Sequence, residues 1–161
     1  MTSTLILIGA VIVICFGMVV LVGAPYLPSF RSQIEQSIKM MNLKPGDTVI
    51  DLGSGDGKVM KIMAEHGIKS IGYELNPILF AVAKIRLWPY REYTTLHLRN
   101  YMQAQLPPSK GIFIFGYQSF MSAVEKKLLA EAKGRKVVSS IFPFPLTKPV
   151  AEKNGIYLYK L

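Results

Sequence analysis

The stretch VIDLGSGDGKV, residues 49–59, constrains the fold more than any other part of the chain. An apolar run ends in Asp51, glycines follow at positions 53, 55 and 57, and the amphipathic segment GKVMKIMAEHG starts at once. A strand that turns on glycines directly into a helix is the opening unit of an α/β fold. The rest of the chain repeats the alternation. KPGD is a turn, TVIDL a buried strand, GKVMKIMAEHG a helix closed by Gly67, and KSIGYEL a second strand. NPILFAVAKIRLWP is helical up to Pro89, TTLHLRN is a third strand and GIFIFGY a fourth. SFMSAVEKKLLAEAKG, with Phe120, Val124 and Leu128 on one face, is a helix that stops at Gly134, and KVVSSIF and GIYLYKL supply two more strands. The pattern predicts an α/β fold with a doubly wound, mostly parallel sheet, in which a ligand sits at the carboxyl ends of the strands.

Spacing decides among the ligands that a glycine-rich turn can hold. A phosphate-binding P-loop needs G-x-x-x-x-G-K-[ST], but Leu52 stands where its first glycine belongs and Val59 replaces the hydroxyl that holds Mg²⁺. A dinucleotide turn wants G-x-G-x-x-G, whereas Gly53, Gly55 and Gly57 run G-x-G-x-G, and a carboxylate at Asp51 would repel a pyrophosphate. A ligand with a cationic end removes the conflict. S-adenosyl-L-methionine offers a sulfonium and an ammonium for Asp51 to face, and glycines without Cβ let its methionine part approach the backbone. Glu74 in GYELNP lies at the tip of the second strand, where a carboxylate accepts two hydrogen bonds from the ribose diol. Asn100 and Tyr101 end the third strand, where an acceptor and a ring meet adenine, although Asn100 serves equally as a turn residue. Ser54 and Asn76 lie inside the same two motifs and complete the candidate cofactor set.

The N-terminal part follows other rules. Leu5 to Ala24 carries no charge, and about 1.5 Å per residue lets it span a bilayer core of roughly 30 Å. It is expected to be a transmembrane helix, giving an anchor at residues 1–27 and a catalytic domain at 28–161. A cleaved signal peptide is the rival, since Val22, Gly23 and Ala24 are small, but the run is too long, no basic residue precedes it and Pro25 would follow the cut. Arg31 and Lys39 are the first basic residues after the run, so the positive-inside bias places the domain in the cytoplasm, or in the matrix of a mitochondrion. Tyr26 and Phe30 sit where interfacial aromatics belong, and the lipid bilayer is then a partner through this helix. Nineteen Lys and Arg against ten Asp and Glu give +9, which suits an anionic partner. One cysteine, Cys15, makes no internal disulfide, and no metal-ligand spacing is present. Ser32 and Glu35 form an S-x-x-E capping box before a short helix whose Ile34, Ile38 and Met41 share a face.

LPSFRSQIEQSIKMM, DLGSGDGKV, GYELNP, FIFGY with EKKL, and FPFP occur in this order after one apolar helix. In this the chain resembles the small membrane-anchored protein-lysine methyltransferases that modify the c-subunit of ATP synthase and the mitochondrial ADP/ATP carrier. The likeness runs from about Pro25 to the C-terminus. It implies a Rossmann-like fold of seven-strand methyltransferase type, lysine side chains of membrane proteins as substrate, and a role for Leu27 to Met41 in shaping the site. By position Asp51, Gly53, Gly55 and Glu74 are similar to the family's cofactor residues. Asn100 departs from the typical acidic residue, and Tyr117-Gln118 from a more apolar pair. Pro143, Pro145 and Pro149 leave no room for a helix after the fifth strand, which would make the sheet one strand short of seven.

Methyl transfer to a lysine asks for positioning and desolvation more than for acid–base groups. An apolar channel beside a fixed positive charge lowers the pKa of the amine, and aromatic faces hold the methylated cation. Tyr117, Phe115 and Phe142 end the fourth and fifth strands and are the candidates for that rim, with Gln118 beside them; ordinary packing is their plain alternative. His66 fits a helix C-terminus and His97 an alternating strand. RLWPYREY could touch nucleic acid or lipid head groups but suits a solvated helix end, and Lys126 and Lys127 suit an exposed helical face. A lipid, a quinone or a nucleic acid is the competing substrate class, although FGYQ lacks the [N/D]-P-P-[Y/F] motif of amino-methylating nucleic-acid enzymes. A sensor of the ligand without catalysis is the third reading.

Overall fold

The computed structural model describes residues 2–22 and 30–161, and within the first helix it describes only some of the side chains. Helix α1, Thr2–Val22, is 21 residues long. The last residues of the expected membrane span, Gly23 and Ala24, lie outside the described residues, as do Pro25, Tyr26, Leu27 and Pro28. Among the described residues no helix is long and apolar enough to cross a membrane. The membrane reading of α1 therefore rests on its unbroken uncharged sequence, and it returns below as a proposal.

Helix α2, Arg31–Met41, starts earlier than the expected capping box. Phe30, not Ser32, is the N-cap, and the Gln33 Oε1 accepts the Phe30 N–H at 3.2 Å. Glu35 instead pairs with Arg31 along the helix at 3.1 Å. The expected apolar face is present: Ile34, Ile38 and Met41 are buried.

Strand β1, Thr48–Leu52, leads through the glycine turn to α3, Lys58–Glu65, and β2, Lys69–Glu74. Helix α4, Pro77–Leu87, ends just before Pro89 as expected, and a 3₁₀ turn at Trp88–Tyr90 follows. Then come β3, Thr94–Leu98, β4, Gly111–Ile114, α5, Gln118–Glu131, and β5, Lys136–Ser140. Strand β4 ends at Ile114, three residues before the expected Tyr117.

The sheet has seven strands in the order β3-β2-β1-β4-β5-β7-β6, so no strand is missing. The strand not foreseen is β6, Ala151–Lys153, which pairs antiparallel with β7, Ile156–Lys160. Asn154 and Gly155 between them have φ of 50° and 71°. That is the backbone of a primed hairpin turn, for which Asn-Gly is the strongest local signal. Strand β7 also pairs antiparallel with β5, while the five strands β3-β2-β1-β4-β5 are parallel throughout.

Alternate residues of the strands face two cores. Ile50, Leu52, Ile112 and Ile114 meet Met121, Val124 and Leu128 of α5. Val49, Phe113, Val138 and Leu158 meet α2 and α3 on the opposite face. Of the inner face expected for α5, Val124 and Leu128 are buried, while Phe120 is half-buried and Met121 beside it is buried in its stead. Chain order reverses where β1 lies between β2 and β4, which opens a crevice at the carboxyl end of β1.

Candidate functional site

Asp51 reaches that crevice. Its side chain is 2% exposed, and its Oδ2 has no hydrogen-bond partner. Burial raises its pKa to about 8, and the neighbouring charges of Glu74 and Asp56 push in the same direction. A carboxylate in that position is held neutral unless a cation arrives to share the cavity.

The turn after Asp51 is pinned to the next strand. Gly53 and Ser54 both donate their N–H to the Tyr73 carbonyl at 3.0 Å. Gly53 has φ of 82°, and a Cβ built on it meets nothing within 4 Å, so its face of the turn is open for a ligand to lie against the backbone. Gly57 (φ 79°) is different: a Cβ there meets Ala83 and Leu87 of α4 at 3.1 Å, so this glycine is required for packing.

Glu74 closes the second side. Its Oε2 accepts the Gly55 N–H at 2.7 Å, and its Oε1 accepts the N–H groups of Leu75 and Asn76 at 2.9 and 2.7 Å. Asn76 is fully buried and caps α4, its Oδ1 accepting from Ile78 and Leu79, while its Nδ2 stays unpartnered. The Ser54 Oγ is likewise buried without a partner. Tyr101 lies close enough for Glu74 to act on it: burial raises its hydroxyl pKa, and the Glu74 charge adds to the effect. Asn100 serves as the turn residue of the sequence reading, its Oδ1 accepting the Met102 N–H at 2.9 Å. Three unsatisfied buried polar groups around one glycine turn fit a ligand carrying an ammonium and several hydroxyls, as S-adenosyl-L-methionine does.

The predicted rim separates. Tyr117 is 44% exposed and meets Phe142 edge to face, with ring centres 5.7 Å apart. Gln118 opens α5 on the exposed side. Phe115 does not join them; it packs with the α2 core on the other face of the sheet. Phe142 is aimed by its backbone, because Ile141 adopts φ of 73°, a costly conformation for a β-branched residue. The loop beyond is held by groups that the sequence did not single out. Glu125 is fully buried and accepts the N–H of Leu146 at 3.0 Å and that of Thr147. The Tyr159 hydroxyl accepts the Phe144 N–H at 2.9 Å. A signal for Glu125 existed: Met121, Val124, Glu125 and Leu128 follow i, i+3, i+4, i+7, which puts a carboxylate on an apolar face.

Other expectations separate in the same way. His66 is the C-cap of α3, its Nδ1 at 2.8 Å from the Ile62 carbonyl, and His97 stacks on Tyr73. Lys127 is not on a solvated face: its Nζ donates to the Ala104 carbonyl at 2.8 Å and pairs with Glu131 at 2.6 Å. Among the described residues no cluster of His, Cys, Asp and Glu could hold a metal.

Known proteins share this geometry. A family model described as the ANTKMT methyltransferase domain matches residues 51–151. The lysine N-methyltransferase of the ATP synthase C-subunit from Xenopus laevis is 35% identical over 126 residues, which is 75% of this chain and 54% of that protein. The adenine nucleotide translocase lysine N-methyltransferase of Mus musculus is 32% identical over 131 residues, 79% of this chain and 57% of that protein. The chain thus spans about half the length of these curated relatives. Among solved structures, an RNA methyltransferase from Salinibacter ruber in complex with S-adenosyl-L-homocysteine superposes with a TM-score of 0.76 at 19% identity, over 83% of this chain and 93% of that one. That match shows a shared fold. With the family model covering most of the domain, this chain belongs to the ANTKMT methyltransferase domain family.

Proposed function

We propose that the chain transfers a methyl group from S-adenosyl-L-methionine to a lysine side chain of a membrane protein. The observation that carries the cofactor is Asp51, a buried carboxylate with an unpartnered oxygen beside an open glycine turn. The named activities of the Xenopus and mouse relatives carry the substrate class. When bound, S-adenosyl-L-methionine supplies a methyl group on a sulfonium. Asp51 offers its charge to the ammonium, and Glu74, already oriented by three backbone N–H groups, offers its remaining lone pairs to the ribose. Ser54, Gly53, Gly55, Gly57, Asn76, Asn100 and Tyr101 form the rest of that pocket. Tyr117 and Phe142 present aromatic surface to the incoming amine, where a neutral nitrogen is favoured and a methylated cation is held by the rings. Gln118 supplies a polar end to the same rim, and Phe115 supports β4 from behind.

The same proposal assigns residues 1–27 as a single-pass membrane anchor and 28–161 as the catalytic domain, facing the cytoplasm or a mitochondrial matrix. Support comes from the sequence, in which Leu5 to Ala24 carries no charge. The test is mass spectrometry of membrane proteins incubated with the full chain and isotopically labelled S-adenosyl-L-methionine. Label on a lysine of an embedded protein, lost with Asp51→Asn, is the expected result. Label on lipid or RNA alone overturns the substrate class, and release of the protein by carbonate overturns the anchor.

A further inference from the structure

Helix α4 is apolar on two sides and buries only one. Ala83 and Leu87 pack with Met60 and Leu96, whereas Val82, Ile85 and Trp88 are 41%, 78% and 70% exposed. Their spacing of three residues puts them in one stripe, which exposed Ala81 and half-buried Ile78 widen. A helix apolar all round is ordinarily buried all round, so this stripe needs a partner.

Its rim identifies the partner. Lys84 lies 5.7 Å from the Phe80 ring centre, and the Arg91 guanidinium 5.5 Å from that of Trp88. Lys84, Trp88 and Arg91, with Leu87, Thr94 and Leu96, line a shallow cleft at the end of the stripe. Arg86 takes no part, because it is paired with Asp56 and donates to its carbonyl. Glu92 is the exposed acid nearby in sequence. Cations flanking an exposed Trp beside aliphatic side chains match the boundary between hydrocarbon and lipid phosphates.

Position favours the same partner. Helix α1 lies against α4, making α4 the element of the domain beside the apolar N-terminal helix. Val82, Ile85 and Trp88 are themselves exposed, so the stripe is open. We propose that the outer face of α4 and the turn after it dock on an anionic lipid bilayer, the apolar stripe at the acyl boundary and the Lys84–Arg91 cleft on a lipid phosphate. The orientation rests on reading α1 as a membrane helix; the side-chain chemistry stands without it. Of the readings of RLWPYREY, this proposal takes up contact with lipid head groups.

Trp88 is the single tryptophan of the chain and reports on its own surroundings. The full chain is reconstituted in phosphatidylcholine vesicles with or without phosphatidylglycerol, using acyl chains brominated near the carbonyl or unbrominated. In the anionic vesicles bromine should quench Trp88 and its emission should move to the blue. Lys84→Ala and Arg91→Ala should each lower the quenched-to-unquenched ratio roughly fivefold, as loss of one surface cation implies. Ile85→Glu, at an exposed position that does not support the fold, should abolish quenching while the thermal melt is unchanged. Equal emission with and without bromine overturns the proposal, as does quenching that ignores lipid charge. Reversal by inorganic phosphate at constant ionic strength, or by an RNA oligonucleotide, also overturns it by giving the cleft to a soluble ligand. Carbonate extraction separates the two readings, since a retained chain with unquenched Trp88 fails this proposal alone.

Discussion

The backbone N–H of Gly55 donates to Glu74 Oε2 at 2.7 Å, joining the turn after β1 to the tip of β2. With Leu75 and Asn76 on the other oxygen, three donors fix one carboxylate. An amide cannot replace it, because its NH₂ end would face an N–H. Glu74→Gln should therefore lose about 1–3 kcal/mol of stability, the cost of an unmade buried hydrogen bond, together with S-adenosyl-L-methionine affinity. Urea unfolding and calorimetry on the same samples measure both, and a loss of affinity without loss of stability would refute the joining role.

Asp51 should show the opposite sign. Its carboxyl is raised from 3.8 to about 8 by burial, then by Glu74 and Asp56. The unfolded state gives up this proton near pH 4 while the ligand-free protein keeps it, so the contribution to stability is full below pH 4 and is lost as pH rises towards 8. Asp51→Asn removes the titration. The stability of the variant relative to the parent should grow by up to about 1.4 kcal/mol per pH unit across that window and level off above it. A flat difference between pH 5 and 8 would show that Asp51 is ionised in the free protein.

Ligand binding should run against the same proton. Holding a ligand ammonium requires the charged form of Asp51, so binding below pH 8 releases a proton. Affinity then strengthens by up to about tenfold per unit as pH rises, until the ammonium itself deprotonates near 8. Calorimetry in buffers of differing ionisation enthalpy counts the proton directly. Asp51→Asn should bind about 1.5–3 kcal/mol more weakly, with no proton released.

Glu125 lies on the substrate side. Glu125→Ala removes the acceptor of the part-buried N–H groups of Leu146 and Thr147 and should cost about 1–3 kcal/mol. With the loop carrying Phe142 and Phe144 loosened, methyl transfer should fall more than cofactor affinity does. Equal affinity and equal turnover in the folded variant would remove the positioning role.

The strand–turn–helix geometry around Asp51 was legible because it is local. Asp51, the glycines and Glu74 lie at the ends of two neighbouring strands, and strand–turn–helix spacing places them without knowledge of the rest. The substrate side depends on where distant segments meet. Nothing near Phe115 says that β4 stops at Ile114 and turns this ring into the α2 core, and nothing near Ile141 announces its left-handed backbone. Lys127 looked solvated because the helical period is silent on the Ala104 carbonyl that covers it. Strand β6 was within reach: Asn154-Gly155 carries the turn chemistry of a hairpin, hidden by the prolines before it. The end of α4 is exposed at Trp88, Arg91 and Glu92, as the solvated helix end read from RLWPYREY expects.

Helix α2 precedes every strand in the chain, yet its buried face rests on β5 and β7 as well as α3. The Lys136 ammonium donates to the Met41 carbonyl at 2.8 Å, and the Asn154 amide to Gln36 at 3.2 Å. During synthesis Ile34, Ile38 and Met41 leave the ribosome more than a hundred residues ahead of Ile156 and Leu158, which complete the same core. At about 5–20 residues per second the apolar face of α2 waits several seconds for them. The core under α2 is therefore completed only after β7 has been released. A nascent chain stalled before Ile156 would leave an open core and should be degraded or held by chaperones, however complete its glycine turn.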